Sequence, residues 1–583
     1  MIHEKQGFPG SGYPAYATML NVLTRPEAFP VVLPDDKPVT VIQTHASAVL
    51  LAPERVYKLK KPKNFGFFDF STPVLRRHFC AEEVRLNRRL TPHVYLGVAP
   101  VLAFSDGRFR FGSTFAPGEV PMPGTPLEGG YVVDYAVVMV RLPDEAMLEY
   151  LVRAGTASPS QLKEIAQHVA AFHATSCTDE HSASFGSLEV IRGNWEENFE
   201  QMKPYIGRTI DVTTYDQIAG YIRRFMEERS SLFDVRVREG RIRDCHGDLR
   251  LQHVYVLEGQ TIDTGQQLPG LAFLDGIEFN ERFRFSDVTS EVAFLTMELE
   301  AASRCDLARA FVDGYVAESG DLALRELLPF YSCYRACVRG KVLSFQVDEP
   351  EVPASQREDA RQQAEFLFSL AASYTSGPTR PTLMLVGGLM GTGKSTMALT
   401  LQHELGWGLF SSDTVRKRLA HLDPTEPHAN AYGQGLYSQQ WTARTYDALL
   451  TEAKAALANG HSVLIDASFM QRADRQAAAR AAAAHGANAI FVETTCPKEV
   501  ALKRLAQRWK VRTGECKGTA EAASLASDAR PALYDAQCAA WEAFISNEEP
   551  AMERVTITTT VPLAKSREQV LDKLRIPRFA CWL

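Results

Sequence analysis

The sequence contains no long hydrophobic run. Nowhere do about 18 uncharged apolar residues follow one another, which is the length a helix needs to cross a bilayer. The amino-terminal stretch MIHEKQGFPGSGYPAY has no apolar segment behind a basic start, so it lacks the pattern of a secretory signal. We therefore expect a cytoplasmic protein without a membrane span.

Cysteine is scarce and has no metal-binding spacing. Ten cysteines are spread over 583 residues without a CxxC pair or a Cys/His pattern, and the nearest two are Cys333 and Cys337. A chain of this length builds its cores without cross-links. We therefore expect buried, reduced thiols and neither a zinc site nor a disulfide framework.

Basic charge is not in excess in either half of the chain. The net charge is −7; residues 381–583 carry 23 basic and 20 acidic side chains, whereas residues 1–380 carry 40 and 50. Nucleic-acid-binding domains usually have a clear basic excess. Charge alone therefore does not indicate such a partner.

The chain is long enough for several folding units, and its composition, 45% hydrophobic and 23% charged, is that of a globular protein. A Ser/Gly/Pro stretch, SYTSGPTRP, separates a polar helical segment from an apolar strand. We predict an N-terminal extension at 1–39, a first domain at 40–375 with lobes at about 40–142 and 143–375, a linker at 376–380, and a second domain at 381–583.

The two domains differ in their pattern. In the second, the short apolar runs TLMLVG, GLFSSD, SVLIDAS and AIFVETT alternate with Ala-rich helical stretches, which predicts an α/β fold with a buried parallel sheet. The first begins with paired strands over residues 40–61 and turns helical from about residue 144, apart from a strand-and-loop island at 241–288. This order predicts a two-lobed α+β domain.

The stretch VGGLMGTGKST, residues 386–396, matches GxxxxGK[ST] directly after a strand and before a helix. Such a loop curls its backbone N–H groups around phosphates, while Lys394 reaches the β- and γ-phosphates and Ser395 holds Mg²⁺. We expect an ATP site formed by Gly388, Gly391, Thr392, Gly393, Lys394, Ser395 and Thr396.

One strand later, SSDTVRKRL carries Asp413 and Arg416 three residues apart on one helix face. The carboxylate can accept the proton of an attacking hydroxyl, and the guanidinium can hold an anionic part of the acceptor. The alternative is an aspartate that caps the helix beside a surface arginine. We favour the catalytic interpretation because the P-loop lysine lies one helix and one strand upstream.

Two further segments complete this predicted site. The strand VLIDAS ends in Asp466, which is suited to a water-mediated contact with Mg²⁺. The helix around ALKRLAQRWKVR places Arg504, Arg508 and Arg512 on successive turns, either as a lid over the γ-phosphate or as a solvated basic face. Gly514 and Gly518 could hinge such a lid or simply end the helix.

These motifs together resemble the AAA-type P-loop kinases that include polynucleotide 5′-hydroxyl kinases, zeta-type toxins and gluconate kinase. The resemblance covers about 200 residues. It implies that Asp413 and Arg416 bind and activate the acceptor, as the D-x-x-R pair does in the polynucleotide kinases. Because relatives acting on small molecules share this pair, the resemblance indicates the reaction better than the substrate.

The first domain carries a second phosphotransfer pattern, CHGDLRLQH at 245–253. Asp248 would accept a hydroxyl proton, and Asp275, at the end of the strand LAFLD, would hold Mg²⁺. Upstream, Lys58 or Lys60 in RVYKLKK could pair with ATP phosphates, and Glu83 on the next helix could orient that lysine. The alternative is a lysine-bearing edge strand beside a solvated glutamate.

This half resembles the aminoglycoside phosphotransferase and choline kinase branch of the protein-kinase-like fold over roughly residues 40–370. The blocks THASAVLLAPERVYKLKKP, FGFFDFS, LNRRL, CHGDLRLQHVY and LDGIEFNERFRFSDV also resemble those of a family of bacterial fusions that join such a domain to a P-loop kinase domain. The resemblance implies a protein-kinase-like α+β domain followed by an α/β P-loop NTPase domain, with two ATP sites.

One position departs from the phosphotransferase pattern. His253 stands where HGDxxxxN has its asparagine, a ligand of the second metal ion. Mg²⁺ prefers oxygen ligands, so an imidazole weakens this contact or changes the metal. The first half is therefore either a second phosphotransferase or a nucleotide-binding regulatory domain.

The sequence thus predicts an ATP- and Mg²⁺-dependent kinase whose acceptor is a hydroxyl of a small metabolite or of a nucleic-acid 5′ end. The alternative class is a nucleotide-gated switch. Neither the acceptor nor the oligomeric state follows from the sequence.

Overall fold

The computed structural model describes residues 16–31, 39–64, 66, 68–257, 270–350, 352–375, 380–423, 433–512, 529–549 and 551–574. The chain forms two compact units. The first comprises Met1–Ala302 and Ala310–Phe368, and the second comprises Ser303–Arg309 and Ser369–Leu583. The domain boundaries drawn from the sequence remain predictions.

The first unit starts with an antiparallel sheet. Its strands are β1 (Thr40–Gln43), β2 (Ser47–Leu51), β3 (Arg55–Lys60), β4 (Tyr95–Ala103), β5 (Phe109–Phe111), β6 (Pro126–Leu127) and β7 (Gly130–Val140). The strand order is β1-β2-β3-β7-β4-β5, with β6 paired to β7. The paired strands predicted for residues 40–61 are confirmed as β1 to β3.

Two helices cover the faces of this sheet: α1 (Tyr16–Leu23) and α2 (Pro73–Asn87). Thr72 caps α2 by accepting a hydrogen bond from the Leu75 N–H, and Pro73 occupies the first turn, where no N–H is needed. Val84 of α2 packs on one face of the sheet and Met19 of α1 on the other. The sheet is therefore buried on both sides, with α2 packed against β7 and β4.

The rest of the first unit is mainly helical. Its helices are α3 (Leu148–Ala154), α4 (Pro159–Thr175), α5 (Glu180–Ser184), α6 (Leu188–Met202), α7 (Val212–Glu228), α8 (Ser230–Arg238), α9 (Glu281–Arg284), α10 (Val288–Ala301), α11 (Cys305–Ser319), α12 (Leu324–Val347) and α13 (Ala354–Ser373). Its short strands are β8 (Ile242–Asp244), β9 (Val254–Val256), β10 (Leu271–Phe273) and β11 (Phe285–Asp287). β8 pairs with β11 and β9 with β10, both antiparallel. This sheet-then-helix arrangement is the protein-kinase-like fold.

The second unit is a five-stranded parallel sheet of order β13-β14-β12-β15-β16. Its strands are β12 (Thr382–Gly387), β13 (Gly408–Ser411), β14 (Val463–Asp466), β15 (Asn488–Thr495) and β16 (Glu553–Thr558). The helices are α14 (Lys394–Leu405), α15 (Ser412–Leu419), α16 (Gln439–Ala458), α17 (Arg472–Ala484), α18 (Lys498–Arg512), α19 (Tyr534–Ala539) and α20 (Leu563–Leu574). Apolar clusters lie on both faces of the sheet, so the predicted α/β P-loop fold is confirmed.

The prediction of buried, reduced thiols holds only in part, because Cys177 and Cys538 are exposed. Cys80, Cys245, Cys333 and Cys337 are buried free thiols. Cys305 is disulfide-bonded, so the expectation of reduced thiols throughout is wrong there; the spacing of cysteines along a chain does not reveal which of them are cross-linked. In the described part of the chain, no helix is both long and apolar enough to cross a membrane.

Candidate active sites

The P-loop connects β12 to α14 and depends on its glycines. Gly388, Gly391 and Gly393 have φ values of 135°, 79° and 91°, a region that side chains with a Cβ rarely adopt. A Cβ on Gly391 would lie 2.7 Å from the Ala501 carbonyl oxygen. The loop therefore tolerates only glycine at these positions, and it leads its backbone directly into the N-terminus of α14.

The first residues of α14 face the end of β14. Lys394 Nζ donates a hydrogen bond to the Leu389 carbonyl at 3.0 Å. Burial lowers the pKa of Lys394, although Asp466 opposes this shift. Burial also raises the pKa of Asp466, against the opposing effects of Lys394 and of a hydrogen bond from Ser395. The lysine, the serine and the aspartate thus meet at one point, as the sequence predicted.

The predicted acceptor pair lies on α15. Arg416 Nη1 is 3.1 Å from Asp413 Oδ1, and its guanidinium lies 4.6 Å from the ring centroid of Tyr437. Arg416 is 7% exposed, and its buried Nε has no hydrogen-bond partner among the described residues. An aromatic ring and a carboxylate hold this guanidinium in place while leaving one donor available.

A cavity of about 250 Å³ connects these parts, lined by Met390, Gly391, Gly393, Lys394, Ser395, Thr396, Ser412, Asp413, Asp466, Arg504, Arg508 and Ala529. Three predicted residues, Gly388, Thr392 and Arg416, are not in its lining. The hydroxyl of Thr392 instead donates a hydrogen bond to the Leu389 carbonyl and contacts the hydroxyl of Thr494. Thr392 therefore stabilises the conformation of the loop.

The arginines of α18 do not all have the same role. Arg504 donates to the Thr559 carbonyl at 2.7 Å and to the Gly391 carbonyl at 3.4 Å. Thr559 in turn donates its hydroxyl to the Thr392 carbonyl at 2.7 Å. Arg504 and Arg508 both line the cavity, and Arg504 is in addition bonded to the P-loop itself. The side chain of Arg512, together with Gly514 and Gly518, lies outside the described residues.

In the first unit, Lys58 of β3 lies between two carboxylates. Its Nζ is 2.9 Å from Glu83 Oε1 and 2.7 Å from Asp275 Oδ1. Burial opposes the charge, but Asp275 and Glu83 raise the pKa of Lys58 well above its usual value. The lysine, the helix glutamate and the strand-end aspartate predicted from the sequence thus form one ionic cluster.

Lys60 forms a second and more deeply buried pair of contacts. Its Nζ is 2.6 Å from Glu83 Oε2 and also contacts Glu278. The Lys60 side chain is 1% exposed, against 14% for Lys58. Lys58 is therefore the more accessible of the two lysines between which the sequence left the choice open. Glu278 was missed because no motif includes it.

The loop that follows β8, residues 245–253 (the predicted catalytic loop), brings Asp248 and His253 close to Asp275. His253 Nδ1 is 2.9 Å from the Asp248 carbonyl and 3.4 Å from Asp248 Oδ2, and Nε2 is 3.9 Å from Asp275 Oδ2. Asp275 has a left-handed backbone, with φ at 62°, and its N–H donates to the Tyr95 hydroxyl at 2.9 Å. Burial disfavours the charge of Asp275, but the positive charges of Lys58 and His253 outweigh burial and hold the pKa of Asp275 well below its usual range.

A buried carboxylate that the sequence analysis missed supports this loop. Glu291 of α10 accepts hydrogen bonds from the N–H groups of His246 at 3.1 Å and Gly247 at 2.6 Å, and from His173 Nε2 at 3.0 Å. Glu291 is 1% exposed. It fixes the backbone directly before Asp248. Glu291 lies 43 residues after Asp248 in the chain, and no sequence motif marks its position.

Both sites contain the oxygen donors that Mg²⁺ prefers. In the second unit, Ser395 and Asp466 line the same cavity as the P-loop lysine. In the first unit, Asp275 and Asp248 offer carboxylates on either side of His253. The residues of both sites therefore fit Mg²⁺, with imidazole nitrogen as an additional ligand only in the first unit.

Comparison with known proteins identifies the class and the family. Residues 383–526 match the family model described as an AAA domain. The chain is 32% identical over 513 residues to the Mycobacterium tuberculosis protein named Uncharacterized protein Rv2004c, covering 87% of this chain and 93% of that protein.

Two solved structures are also similar to this chain. A sugar kinase from Janibacter sp. HTCC2649 is 20% identical, covering 35% of this chain and 98% of its own, with a TM-score of 0.24. A microcompartment-associated aminopropanol kinase is 13% identical, covering 60% of this chain and 94% of its own, with a TM-score of 0.34.

The chain therefore joins a protein-kinase-like unit to a P-loop unit that matches the AAA domain model. Given 32% identity across most of both chains, the protein belongs to the same family as Rv2004c.

Proposed function

We propose that the P-loop unit transfers the γ-phosphate of ATP to a hydroxyl group. The observation that carries this proposal is the cavity that collects Lys394, Ser395, Asp466 and Asp413. A P-loop alone is compatible with many nucleotide-dependent functions. The carboxylate of Asp413 in the lining of the same cavity, paired with Arg416, adds a group that can accept the proton of an attacking hydroxyl.

The residues divide the reaction among them. Lys394 and the N-terminus of α14 bind the phosphates, and Ser395 and Asp466 hold Mg²⁺, which offsets the phosphate charge when bound. The oxygen of the acceptor hydroxyl bonds to the γ-phosphorus, and the bond between the γ-phosphorus and the oxygen that bridges to the β-phosphate breaks. Asp413 accepts the proton that the hydroxyl loses. Arg416 holds an anionic part of the acceptor.

The first unit supports a second candidate function, phosphotransfer with Asp248 as the proton acceptor. The contact that favours it is Lys58 between Glu83 and Asp275. In this proposal Lys58 exchanges Asp275 for an ATP phosphate, which leaves the carboxylate of Asp275 to Mg²⁺. If the first unit binds nucleotide without transferring phosphate, it is instead a regulatory domain; the whole protein is a nucleotide-gated switch only if neither unit phosphorylates an acceptor.

The test is a labelling experiment with γ-labelled ATP and Mg²⁺ on the full-length protein. Acceptors are 5′-hydroxyl RNA and a metabolite extract, supplied separately, and labelled products are separated by size. The variants are Lys394→Ala and Asp413→Asn for the P-loop unit and Asp248→Asn for the first unit. Arg418→Gln is the matched control, because Arg418 lies on the same helix as Asp413 but is exposed and pairs with Glu452.

Each outcome has a distinct meaning. Label that disappears in Lys394→Ala and Asp413→Asn but persists in Arg418→Gln supports transfer by the P-loop unit, and the labelled product identifies the acceptor class. Label that depends only on Asp248 assigns the reaction to the first unit. Free phosphate without any labelled acceptor would contradict both transfer proposals and favour the switch.

A further inference from the structure

A small cavity in the helical part of the first unit has polar groups without partners. We name it the Trp195 pocket, defined by Phe185, Trp195, Phe283, Ser286, Tyr331 and Arg335 in its lining. Its volume is about 60 Å³, enough for about four water molecules or a carboxylate with a short carbon chain. None of the residues predicted to bind nucleotide or metal lines it.

Two buried donors of this pocket have no hydrogen-bond partner among the described residues: Trp195 Nε1 and Ser286 Oγ. Trp195 is 1% exposed, and its ring is stacked on Phe199 at 5.3 Å and packed edge-on against Tyr334 at 5.1 Å. The ring therefore cannot turn its N–H toward solvent. A buried donor without an acceptor costs free energy, which a ligand oxygen would recover.

Arg335 adds a buried positive charge. It is 8% exposed, and its hydrogen bonds go to neutral carbonyls, those of Ser290 at 3.0 Å and Gly247 at 3.4 Å. Within the described part of the chain, Arg335 has no carboxylate partner. Buried charges are normally paired. Asp287, the carboxylate in the pocket lining, is already bound by Arg236 on both oxygens.

From these contacts we infer that the Trp195 pocket binds a small organic carboxylate. Arg335 supplies the charge, Trp195 and Ser286 supply the directed donors, and the aromatic walls cover the carbon chain. A cationic amine is disfavoured because Arg335 lacks a counter-charge. The binding does not depend on the proposed phosphotransfer reactions, so each can fail without the other.

The pocket lies beside the loop that carries Asp248. Its wall includes Ser286 of β11, which pairs with Arg243 of β8, the strand that leads into that loop. Arg335 reaches the carbonyl of Gly247, the residue directly before Asp248. A carboxylate bound to Arg335 is therefore expected to alter hydrogen exchange in residues 245–250.

The test uses the full-length protein labelled with 5-fluorotryptophan. Trp195 is the only tryptophan among residues 1–368, and its fluorine resonance is assigned by its absence in Trp195→Phe. Sodium acetate and sodium lactate are titrated at constant ionic strength, with ethanolamine hydrochloride and inorganic phosphate as comparisons. We expect a saturable shift of the Trp195 resonance with the carboxylates and none with ethanolamine.

The variants separate the pocket from general charge effects. Arg335→Gln should weaken carboxylate binding about tenfold or more, because it removes a charge-assisted contact. Ser286→Ala should weaken it about threefold without lowering the melting temperature, because it removes a hydroxyl that has no partner in the free protein. Arg208→Gln, which alters an exposed arginine paired with Asp348, should leave binding unchanged.

Several results would overturn the inference. One is the absence of a saturable shift with either carboxylate. Another is equal binding by wild type and Ser286→Ala, a comparison that remains valid if Arg335→Gln fails to fold. Tighter binding of phosphate or ethanolamine than of carboxylates would refute the proposed ligand class.

Discussion

Lys58 Nζ lies 2.7 Å from Asp275 Oδ1, although the two residues are 217 positions apart in the chain. The contact connects the strand that offers a lysine to phosphates with the carboxylate expected to hold Mg²⁺. Each group neutralises the other in the nucleotide-free protein. In the function proposed for the first unit, nucleotide binding replaces this ion pair by a contact of Lys58 with a phosphate and a contact of Asp275 with Mg²⁺.

This arrangement predicts different effects of replacing the two lysines of β3. Lys58→Met should remove nucleotide binding by the first unit but leave most of its stability, because Glu83 keeps Lys60 as a partner. Lys60→Met should destabilise the unit by about 3–5 kcal/mol, because it leaves the buried Glu278 without its cation. ADP binding in a Lys394→Ala background and chemical denaturation measure the two effects.

The double variant Lys60→Met/Glu278→Gln provides the control for this prediction. It removes the buried carboxylate together with its partner, so part of the lost stability should return. Equal loss of ADP binding in Lys58→Met and Lys60→Met, with equal stability, would mean that the two lysines are not distinguished by their burial.

A second prediction concerns Arg504 and the P-loop. Because Arg504 bonds to Thr559 and Gly391 in the free protein, Arg504→Ala should loosen the loop and raise the KM for ATP about tenfold with little change in kcat. Lys503→Ala, at the exposed neighbouring position, should change neither constant. A fall in kcat without a change in KM would instead place Arg504 over the γ-phosphate, as a lid does.

The sequence sufficed for those parts of the sites that lie close together along the chain. GxxxxGKS between an apolar strand and a helix predicted the P-loop, and Asp413 and Arg416 at a spacing of three meet on α15 as expected. Resemblance to known families supplied the pairing of Asp248 with Asp275. Each of these predictions uses residues that lie close together in the sequence or a motif that is shared with known families.

Long-range partners could not be predicted in this way. Which lysine of β3 faces the nucleotide depends on Glu278, and the stability of the catalytic loop depends on Glu291, neither of which belongs to a motif. The sequence left open whether Arg504 belongs to a lid or to a solvated basic face, because it gives the spacing from Arg508 but not the contact with Thr559. Such contacts arise from tertiary packing, which residue spacing does not encode.

A third prediction concerns a buried ion triad that stabilises the first unit. Arg236 is fully buried and bonds to Asp287 at 2.7 and 2.8 Å and to Asp321 at 2.6 and 2.7 Å. Arg236→Met would leave two buried carboxylates without a cation, and we expect a loss of about 3–5 kcal/mol. Hydrogen exchange in residues 230–325 measures the change.

Arg223→Met is the matched comparison for Arg236→Met. Arg223 pairs with Glu196 at 2.7 Å, but both side chains are exposed, so the loss should be about 1 kcal/mol or less. Similar losses in the two variants would show that burial does not decide the contribution of these ion pairs.

The last prediction is a pH dependence that originates at Glu291. Burial disfavours its charge, but hydrogen bonds from His173 and Gly247 overcome this effect and lower the pKa of Glu291 to about 2. A carboxylate whose pKa is lower in the folded state stabilises the fold once it is ionised in both states, above about pH 4.5. This stabilisation, on the order of 3 kcal/mol, is lost as the pH falls toward 2.

Glu291→Gln tests this prediction because it removes the titrating group but keeps the size of the side chain. The difference in unfolding free energy between wild type and Glu291→Gln should be largest near pH 6 and shrink steadily toward pH 3, with parallel loss of amide protection at residues 246 and 247. Glu281→Gln, at an exposed glutamate that contacts His181, should show no such trend. A constant difference between wild type and Glu291→Gln across this range would mean that the Glu291 carboxylate does not hold the catalytic loop through its charge.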